Sequence, residues 1–195
     1  MYKVVAYYTK NTIYEKKVVT LQSSLDKFHI PYHIEAINNL GDWYKNTSYK
    51  PTFLKGMLLK YPNEDIVYVD VDAEFLSYPS LFEEYSKDPN VNIAVHNFDR
   101  SVYGKQGIGK FEVLSGTIFL KNNSKTLEIV KEWEQQCINN PRIWDQRSLE
   151  KVLKGQFTNL PMQYCKIFDK GNCDNPVIIH YQVSREIRKN KGKLI

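Results

Sequence analysis

Two aspartates, Asp70 and Asp72, end a run of apolar residues in the sequence IVYVDVD. Residues i and i+2 of an extended chain point to the same side, so both carboxylates are expected at one strand end. Two like charges at that spacing repel each other. A hard divalent cation such as Mg²⁺ or Mn²⁺ relieves the repulsion because it prefers oxygen ligands. The spacing favours a metal site, although an isolated Asp-x-Asp pair also fits a polar strand end with capping residues.

The elements that would position this pair form a β-α-β-α-β series. Strands are predicted at three runs rich in β-branched or aromatic residues, KVVAYY, YHIEAI and IVYVDVD. Apolar residues spaced by three and four from Tyr14 to Phe28 predict an amphipathic helix, and Pro51 marks the first turn of another. This alternation predicts a parallel sheet covered by helices, with ligands bound beyond the carboxyl ends of its strands.

The remaining segments complete an α/β pattern without an internal repeat or linker, so one domain over residues 1–195 is expected. A polar loop is predicted at NNLGDWYKNTSY, before Pro51. Helices are predicted at SLFEEYSK, at SKTLEIVKEWEQQCI with Ser124 as N-cap, and at WDQRSLEKVLK. Strands are predicted at VNIAVH, VLSGTIFLK, YCKIF and PVIIHY. The loop NFDRSVYGKQGIGK lacks the Gly-Lys-Ser/Thr of a nucleotide triphosphatase loop and is interpreted as a flexible lid.

Charge and cysteine usage narrow the function classes. The net charge is +5, and five basic residues against Glu186 place +4 of it between Arg185 and Lys193. The nearly neutral body argues against a broad nucleic-acid-binding face. The basic tail from about residue 185 is expected either to make a weak contact with a membrane surface or to be a solvated terminus. Three cysteines without metal-ligand spacing, and no signal peptide or membrane span, predict a cytoplasmic protein.

Several segments together resemble the nucleotide-diphospho-sugar glycosyltransferases of the GT-A fold, including small viral and bacterial members such as a chlorella-virus glycosyltransferase domain. The matching pieces are the hydrophobic strand with Asp-Val-Asp and the segments YKPTFL, AYYTK, LSGTIFLKNN, WDQRSLEKVL and VIIHYQVSR. They occur in the expected order over nearly the whole chain. The resemblance implies an α/β, GT-A (Rossmann-like), mostly parallel central sheet flanked by helices.

The resemblance also implies a set of metal ligands and a cofactor. Asp72 would bind the ion directly, Asp70 would contact it or the donor ribose, and His180 would add a third ligand. Imidazole suits Mn²⁺ better than Mg²⁺, so manganese is preferred. The ion would bridge the donor phosphates and stabilise the departing nucleoside diphosphate. A histidine satisfied within the core is the alternative for His180.

The remaining roles implied by the resemblance concern the donor and the chemistry. The residues expected at the donor are Tyr8, Thr9, Lys50, Asp70, Ser115, Gly116, Arg100 and Arg185. Strand packing is the alternative for Tyr8 and Thr9, and a bulge is the alternative at Gly116. Asp145 and Gln146 are expected to be catalytic, with a helix cap as the alternative for Asp145. Their Asp-Gln pattern resembles the retaining, glycogenin-like branch.

The function predicted in this way is the metal-dependent transfer of a sugar from a nucleotide donor, preferably UDP-linked, to a hydroxyl of a glycan or glycoconjugate. One alternative is a haloacid-dehalogenase-like phosphatase, whose first Asp is a nucleophile. That class needs Thr or Val two residues after the second Asp, where this chain has Glu74. Two further alternatives are a catalytically inactive sugar-nucleotide-binding protein and an RNA or membrane binder that acts through residues 185–195.

Overall fold

The computed structural model describes residues 1–185 as two β-sheets and six α-helices. The strands are β1 (Tyr2–Thr9), β2 (Tyr32–Ile37), β3 (Asp65–Val69), β4 (Ala73–Phe75), β5 (Ile93–Asp99), β6 (Phe111–Leu120), β7 (Thr158–Asn159), β8 (Lys166–Ile167) and β9 (Ile178–His180). The helices are α1 (Tyr14–Lys27), α2 (Trp43–Ser48), α3 (Lys50–Lys60), α4 (Leu81–Lys87), α5 (Ser124–Asn139) and α6 (Asp145–Leu153).

The larger sheet has six strands in the order β2-β1-β3-β6-β5-β7. Strands β1, β2 and β3 are mutually parallel, which confirms the β-α-β-α-β prediction for the first part of the chain. Only β6 runs against its neighbours, β3 and β5. The connection from β5 to β6 is too short for the crossover of a dozen or more residues that a parallel pair requires. The mostly parallel, helix-covered α/β sheet is therefore confirmed.

Both faces of the sheet are buried, because alternate residues of one strand pack into different clusters. Along β1, Val5 and Tyr7 face the cluster built with α3, α5 and α6. Val4 and Ala6 face the opposite cluster, which includes residues of α1 and α4. A strand covered on both faces reads as a continuous apolar run, which explains the sequence of β3.

Helix α5 fixes the beginning of α6 through one buried side chain. Trp133 is fully buried, and its indole Nε1 donates a hydrogen bond of 2.8 Å to the carbonyl of Asp145. Helix α5 is itself held to α3, because Glu134 accepts from Thr52 at 2.8 Å and pairs with Lys55. The position of Asp145 is thus determined by the packing of three helices.

The smaller sheet joins distant parts of the chain in the order β4-β9-β8. Strand β4 follows Asp72 directly and was not predicted. It pairs antiparallel with β9, and this pairing places Ala73 opposite His180. The last described strand is thereby brought next to the acidic pair.

Two local predictions differ from the structure, and one more gains detail. The predicted loop NNLGDWYKNTSY contains α2, which Asp42 caps by accepting from the backbone N–H of Lys45 at 2.8 Å. The N-cap of α5 is Asn123, which accepts from Thr126 N–H, and Ser124 is the first helical residue. The predicted lid contains two 3₁₀ turns, Arg100–Tyr103 and Lys105–Gly107.

Most of the predicted basic tail, residues 186–195, lies outside the described residues, so its contact with a membrane surface stays a prediction. Within residues 1–185, none of the helices has the length and apolar character needed to cross a bilayer.

The buried His96 on β5 predicts a pH dependence of folding stability. Its Nδ1 lies 2.8 Å from the carbonyl oxygen of Leu160. Burial lowers the pKa of His96 below its usual value, although the hydrogen bond to the Leu160 carbonyl acts in the opposite direction. At His96 the unfolded chain therefore binds more protons than the folded chain as the pH falls through ~6.5, so through this residue acid favours unfolding.

We expect the free energy of unfolding of the wild type to fall relative to that of His96→Gln between pH 6.5 and pH 5.5, by at most about 1 kcal/mol for one group with an unfolded pKa of ~6.5. Urea titrations at both pH values measure this difference. The exposed His29, replaced as His29→Asn, is the control. A constant difference between wild type and His96→Gln would contradict the prediction.

Candidate active site

Asp70, Asp72 and His180 come together beyond the carboxyl end of β3. One ligand-capable atom from each of the three side chains lies within 4.8 Å of the other two. Two connections produce this proximity: the tight turn from β3 to β4, and the pairing of β4 with β9. The three residues predicted as metal ligands are thus close enough to bind one cation together.

His180 has one ring nitrogen engaged and the other unengaged. Its Nε2 lies 2.8 Å from Thr117 Oγ1, whereas its Nδ1 is buried and has no hydrogen-bond partner among the described residues. Burial lowers the pKa of His180 to about 4, although the negative charge of Asp70 acts to raise it. A neutral imidazole with one nitrogen bound to a neighbour and a lone pair on the other is typical of a metal-ligating histidine. The unpartnered nitrogen therefore fits a cation held with the two aspartates.

Asp72 is buried and is tied to the segment that follows β9. Its Oδ2 accepts a hydrogen bond of 2.8 Å from Val183 N–H, and its backbone carbonyl accepts one of 3.1 Å from Tyr181 N–H. Burial and the neighbouring charge of Asp70 raise the pKa of Asp72 to about 6, although the Val183 hydrogen bond opposes this. A divalent cation would offset both effects, and protons would compete with it below pH 6.

Lys50 connects the acidic pair to the start of α6. The side chain is buried, and its Nζ lies 3.1 Å from Asp70 Oδ1, 2.9 Å from Asp145 Oδ2 and 3.0 Å from the Ser115 carbonyl. Burial acts to lower the pKa of Lys50, but the charges of Asp145 and Asp70 outweigh it and raise the pKa. The ammonium is therefore charged. Lys50 thus pairs with Asp70 and Asp145, and its predicted contact with the donor stays a prediction.

Ser115 and Gly116 lie where β6 departs from regular pairing with β5. Val95 pairs with Ile118 but the next residue, His96, pairs with Leu114, so three residues of β6 bulge out. A Cβ on Gly116 would lie 3.3 Å from Asp70 Oδ2 and 3.2 Å from His180 Cε1. The bulge alternative is thus present, and the missing side chain lets Asp70 and His180 approach the strand closely.

Asp145 and Gln146 both contact Ser115. Asp145 Oδ2 accepts a hydrogen bond of 2.8 Å from Ser115 Oγ, and Gln146 Oε1 accepts one of 3.3 Å from Ser115 N–H. The N-cap position of α6 is Trp144, whose side chain makes no capping bond, and Asp145 is the first helical residue. The carboxylate of Asp145 therefore pairs with Lys50 instead of capping the helix.

Tyr8 and Thr9 lie at the carboxyl end of β1, the strand beside β3. The Thr9 carbonyl accepts 2.6 Å from Thr12 Oγ1 in the turn before α1. Tyr8 packs against the cluster on the α1 side of the sheet. These contacts are those of the strand-packing alternative, and binding of a nucleoside by this pair stays a prediction.

The two arginines predicted at the donor both have acidic partners. Arg100 Nε lies 3.9 Å from Glu112 Oε2. Arg185 Nη1 lies 2.9 Å and 3.2 Å from the two carboxylate oxygens of Asp169. Either guanidinium would have to leave or share its partner to meet a diphosphate, so this role also stays a prediction.

Two residues of the site were missed by sequence reasoning. Tyr68 donates a hydrogen bond of 2.9 Å to Asp70 Oδ1, and Thr117 contacts His180. Tyr68 stands two residues before Asp70, so the alternation that paired Asp70 with Asp72 could also have indicated Tyr68. Thr117, a hydroxyl residue inside an apolar strand, carried a weaker signal.

The fold is similar to that of several solved glycosyltransferases. A glycosyltransferase involved in the glycosylation of the major capsid of PBCV-1 matches with a TM-score of 0.70 at 14% identity, over 97% of each chain. Mouse xyloside xylosyltransferase 1 matches with a TM-score of 0.60 at 13% identity, over 94% of this chain and 98% of that one. The galactosyltransferase LgtC, solved with donor and acceptor sugar analogs, matches with a TM-score of 0.57 at 12% identity, over 92% of this chain and 87% of that one.

Comparison by sequence assigns the chain to a protein family. None of the curated proteins matches the chain significantly. A family model described as nucleotide-diphospho-sugar transferase matches residues 41–190, a range that contains Lys50, the acidic pair, α6 and His180. The chain therefore belongs to the nucleotide-diphospho-sugar transferase family and is a glycosyltransferase with the GT-A fold.

Proposed function

We propose that the chain transfers a sugar from a UDP-linked donor to a hydroxyl of a glycan or glycoconjugate, and that the reaction needs a divalent cation. The observation that carries the proposal is the convergence of Asp70, Asp72 and the unpartnered Nδ1 of His180. Two carboxylates and a neutral imidazole form a donor set that suits Mn²⁺ better than Mg²⁺. When bound, the ion would supply Lewis-acid stabilisation of the departing diphosphate.

The residues around this set hold their own groups in place. Tyr68 and Lys50 both donate to Asp70 Oδ1, so they orient that carboxylate. Val183 N–H orients Asp72, and Thr117 orients the ring of His180. Ligands that are already oriented lose little conformational freedom when the ion and donor bind. This arrangement supports the proposal of a binding site that is largely formed in advance.

We further propose that transfer proceeds with retention of configuration. An inverting enzyme needs a carboxylate base that can reach the acceptor hydroxyl. Asp145 is only 4% exposed, and its Oδ2 is occupied by Lys50 and Ser115. These contacts favour a role in which Asp145 and Gln146 hold the surroundings of the sugar in position.

The product of an α-linked donor should keep the α configuration, which NMR of the new linkage measures, and a β-linked product would refute retention.

The alternatives are less well supported. The family match favours a transferase over the phosphatase. Hydrolysis of the donor in the presence of Mn²⁺ distinguishes an active enzyme from a protein that only binds sugar nucleotides. The cytoplasmic location also remains a proposal, supported by the unpaired thiols of Cys137, Cys165 and Cys173.

A thermal-shift panel tests the metal and the donor together. With UDP at about 100 times its Kd in Mn²⁺, the melting temperature should rise by ~5–10 °C, and without the ion it should rise far less. Asp72→Asn should lose most of the metal-dependent rise, because it removes a charged ligand. Measurement at pH 7.5 keeps Asp72 deprotonated.

The exposed Asp174 provides the matched control, Asp174→Asn, which should retain the full metal-dependent rise. If Asp72→Asn kept the full rise, the assignment of Asp72 as a ligand would be wrong. If UDP stabilised the wild type equally with and without Mn²⁺, metal dependence itself would be refuted.

Replacement of Lys50 tests how much its ion pairs with Asp70 and Asp145 contribute to stability. Lys50→Met leaves Asp145 buried without a counter-charge, and we expect a loss of ~3 kcal/mol in the free energy of unfolding. This is the lower end of the range for a broken buried pair, because the Asp70 carboxylate is 38% exposed and screened by solvent. The double variant Lys50→Met/Asp145→Asn should recover ~1–2 kcal/mol of that loss. Strictly additive losses in urea titrations would show that the two residues are not coupled.

A further inference from the structure

Three partly exposed aromatic rings from distant segments lie together beside the site. They are Trp43 and Tyr44, the first two residues of α2, and Trp144, which precedes α6. Their exposed fractions are 38%, 38% and 36%. Ring centroids are 5.2 Å apart for Trp43 and Tyr44 and 6.1 Å apart for Trp43 and Trp144, with edge-to-face geometry in both pairs. We call these three residues the aromatic cluster.

The backbone that carries the aromatic cluster is held in place. Asp42 caps α2, and Tyr7 OH donates 2.8 Å to the carbonyl of Asn46, which ties α2 to β1. The Trp144 carbonyl accepts from Arg147 N–H at 3.1 Å in the first turn of α6. These contacts fix the backbone that presents the rings, and binding to a surface with an ordered backbone loses less conformational entropy.

The aromatic cluster is continuous with the proposed site through the backbone of α6. Trp144 is covalently joined to Asp145, whose carboxylate contacts Lys50 and, through it, Asp70. Gln146, the next residue, reaches Ser115 N–H. The rings therefore lie on the side of the site occupied by Asp145 and Gln146. Tyr8 and Thr9, which are predicted to receive the nucleoside, lie at the end of β1 next to Tyr7, whose hydroxyl bonds α2.

The chemistry of the cluster favours a sugar ring as its ligand. Large exposed aromatic groups cost hydration free energy and commonly mark a binding surface. The faces of these rings are negative, and the C–H groups on one face of a pyranose carry partial positive charge, so the two surfaces attract. The guanidinium carbon of Arg147 lies 5.9 Å from the Trp144 ring centroid. Its Nη1 donates to Glu150 at 2.9 Å and its Nη2 lies 3.9 Å from Glu112, so a sugar hydroxyl would share this group with those carboxylates.

We propose that Trp43, Tyr44 and Trp144 bind a pyranose residue of the acceptor, so that the acceptor is a saccharide or glycoside. This inference rests on the proposed glycosyl transfer. It deepens that function because it names the residues that recognise the acceptor and requires that they contact a sugar ring of it.

Intrinsic fluorescence provides a direct test, because the chain has three tryptophans and Trp133 is fully buried. Changes in emission on adding saccharide therefore report mainly on Trp43 and Trp144. The probes are methyl glycosides and disaccharides of glucose, galactose, xylose and mannose, titrated with UDP and Mn²⁺ present. At least one probe should produce a saturable change. Trp144→Ala and Trp43→Ala should each weaken its binding about tenfold or more, as loss of a stacking contact predicts.

Two further variants separate recognition from folding. Trp144→Phe keeps an aromatic face and should lose less affinity than Trp144→Ala, at an unchanged melting temperature. Tyr78 is 45% exposed and bonds to Glu83 near the beginning of β1, away from the carboxyl ends of the strands. Tyr78→Ala is the matched control and should leave saccharide affinity unchanged.

The affinity for UDP with Mn²⁺, measured by the thermal shift, distinguishes failure of the proposed transferase function from failure of the acceptor site. If the wild type binds no nucleotide in the presence of metal, the proposed function fails and the acceptor role falls with it. If UDP binds normally but no saccharide changes the emission, or Trp43→Ala and Trp144→Ala keep full saccharide affinity, only the acceptor site is refuted. Loss of UDP affinity in a folded Trp144→Ala variant would assign the Trp144 ring to the nucleobase and would also refute the acceptor site.

Discussion

An imbalance of charge dominates the edge of this sheet, because three carboxylates lie near one ammonium and only two of them contact it. Lys50 touches Asp70 and Asp145, and it is buried in doing so. Asp72 has no such contact with the ammonium, and its pKa is raised to about 6. The imidazole beside it is neutral because burial holds the pKa of His180 to about 4. The site therefore keeps an excess of negative charge that no described side chain compensates by contact, which is the condition under which a cation binds well.

The architecture supports this imbalance with contacts from several directions. The bulge in β6 and the absence of a side chain at Gly116 let Asp70 and His180 approach the same strand. Trp133 fixes the first turn of α6 and with it Asp145. Parallel strands end at a common edge, and the bonds from Tyr68, Thr117 and Val183 then set the direction of each ligand. Such outer contacts commonly determine how firmly a metal site holds its ion.

Many elements of the fold could be predicted from local sequence patterns, whereas the others depend on contacts between distant parts of the chain. The first three strands and α1 follow from runs and spacings of apolar residues, which is why their prediction succeeded. Strand β4 has three residues and exists because it pairs with β9, so no local pattern marks it. Helix α2 has no buried residue and depends on its Asp42 cap.

The predicted site residues also differ in whether a local pattern or a long-range contact determines their position. Alternation within one strand was enough to place Asp70 and Asp72 together, whereas the approach of His180 was implied only by the resemblance to a family. The partners of Arg100 and Arg185 are Glu112 and Asp169, and spacing along the chain cannot reveal such pairs. The bulge at Gly116 depends on the register between two strands, which the sequence of either strand alone does not specify.

The pairing of β4 with β9 has a consequence for the order in which the molecule is built. Residues 72 and 180 meet only after the ribosome has delivered almost the whole described chain. Contacts of such large sequence separation require the closure of a long loop and therefore form slowly. A nascent chain with its large sheet already assembled would thus still hold an open acidic pair, and the imidazole would complete the site as β9 docks.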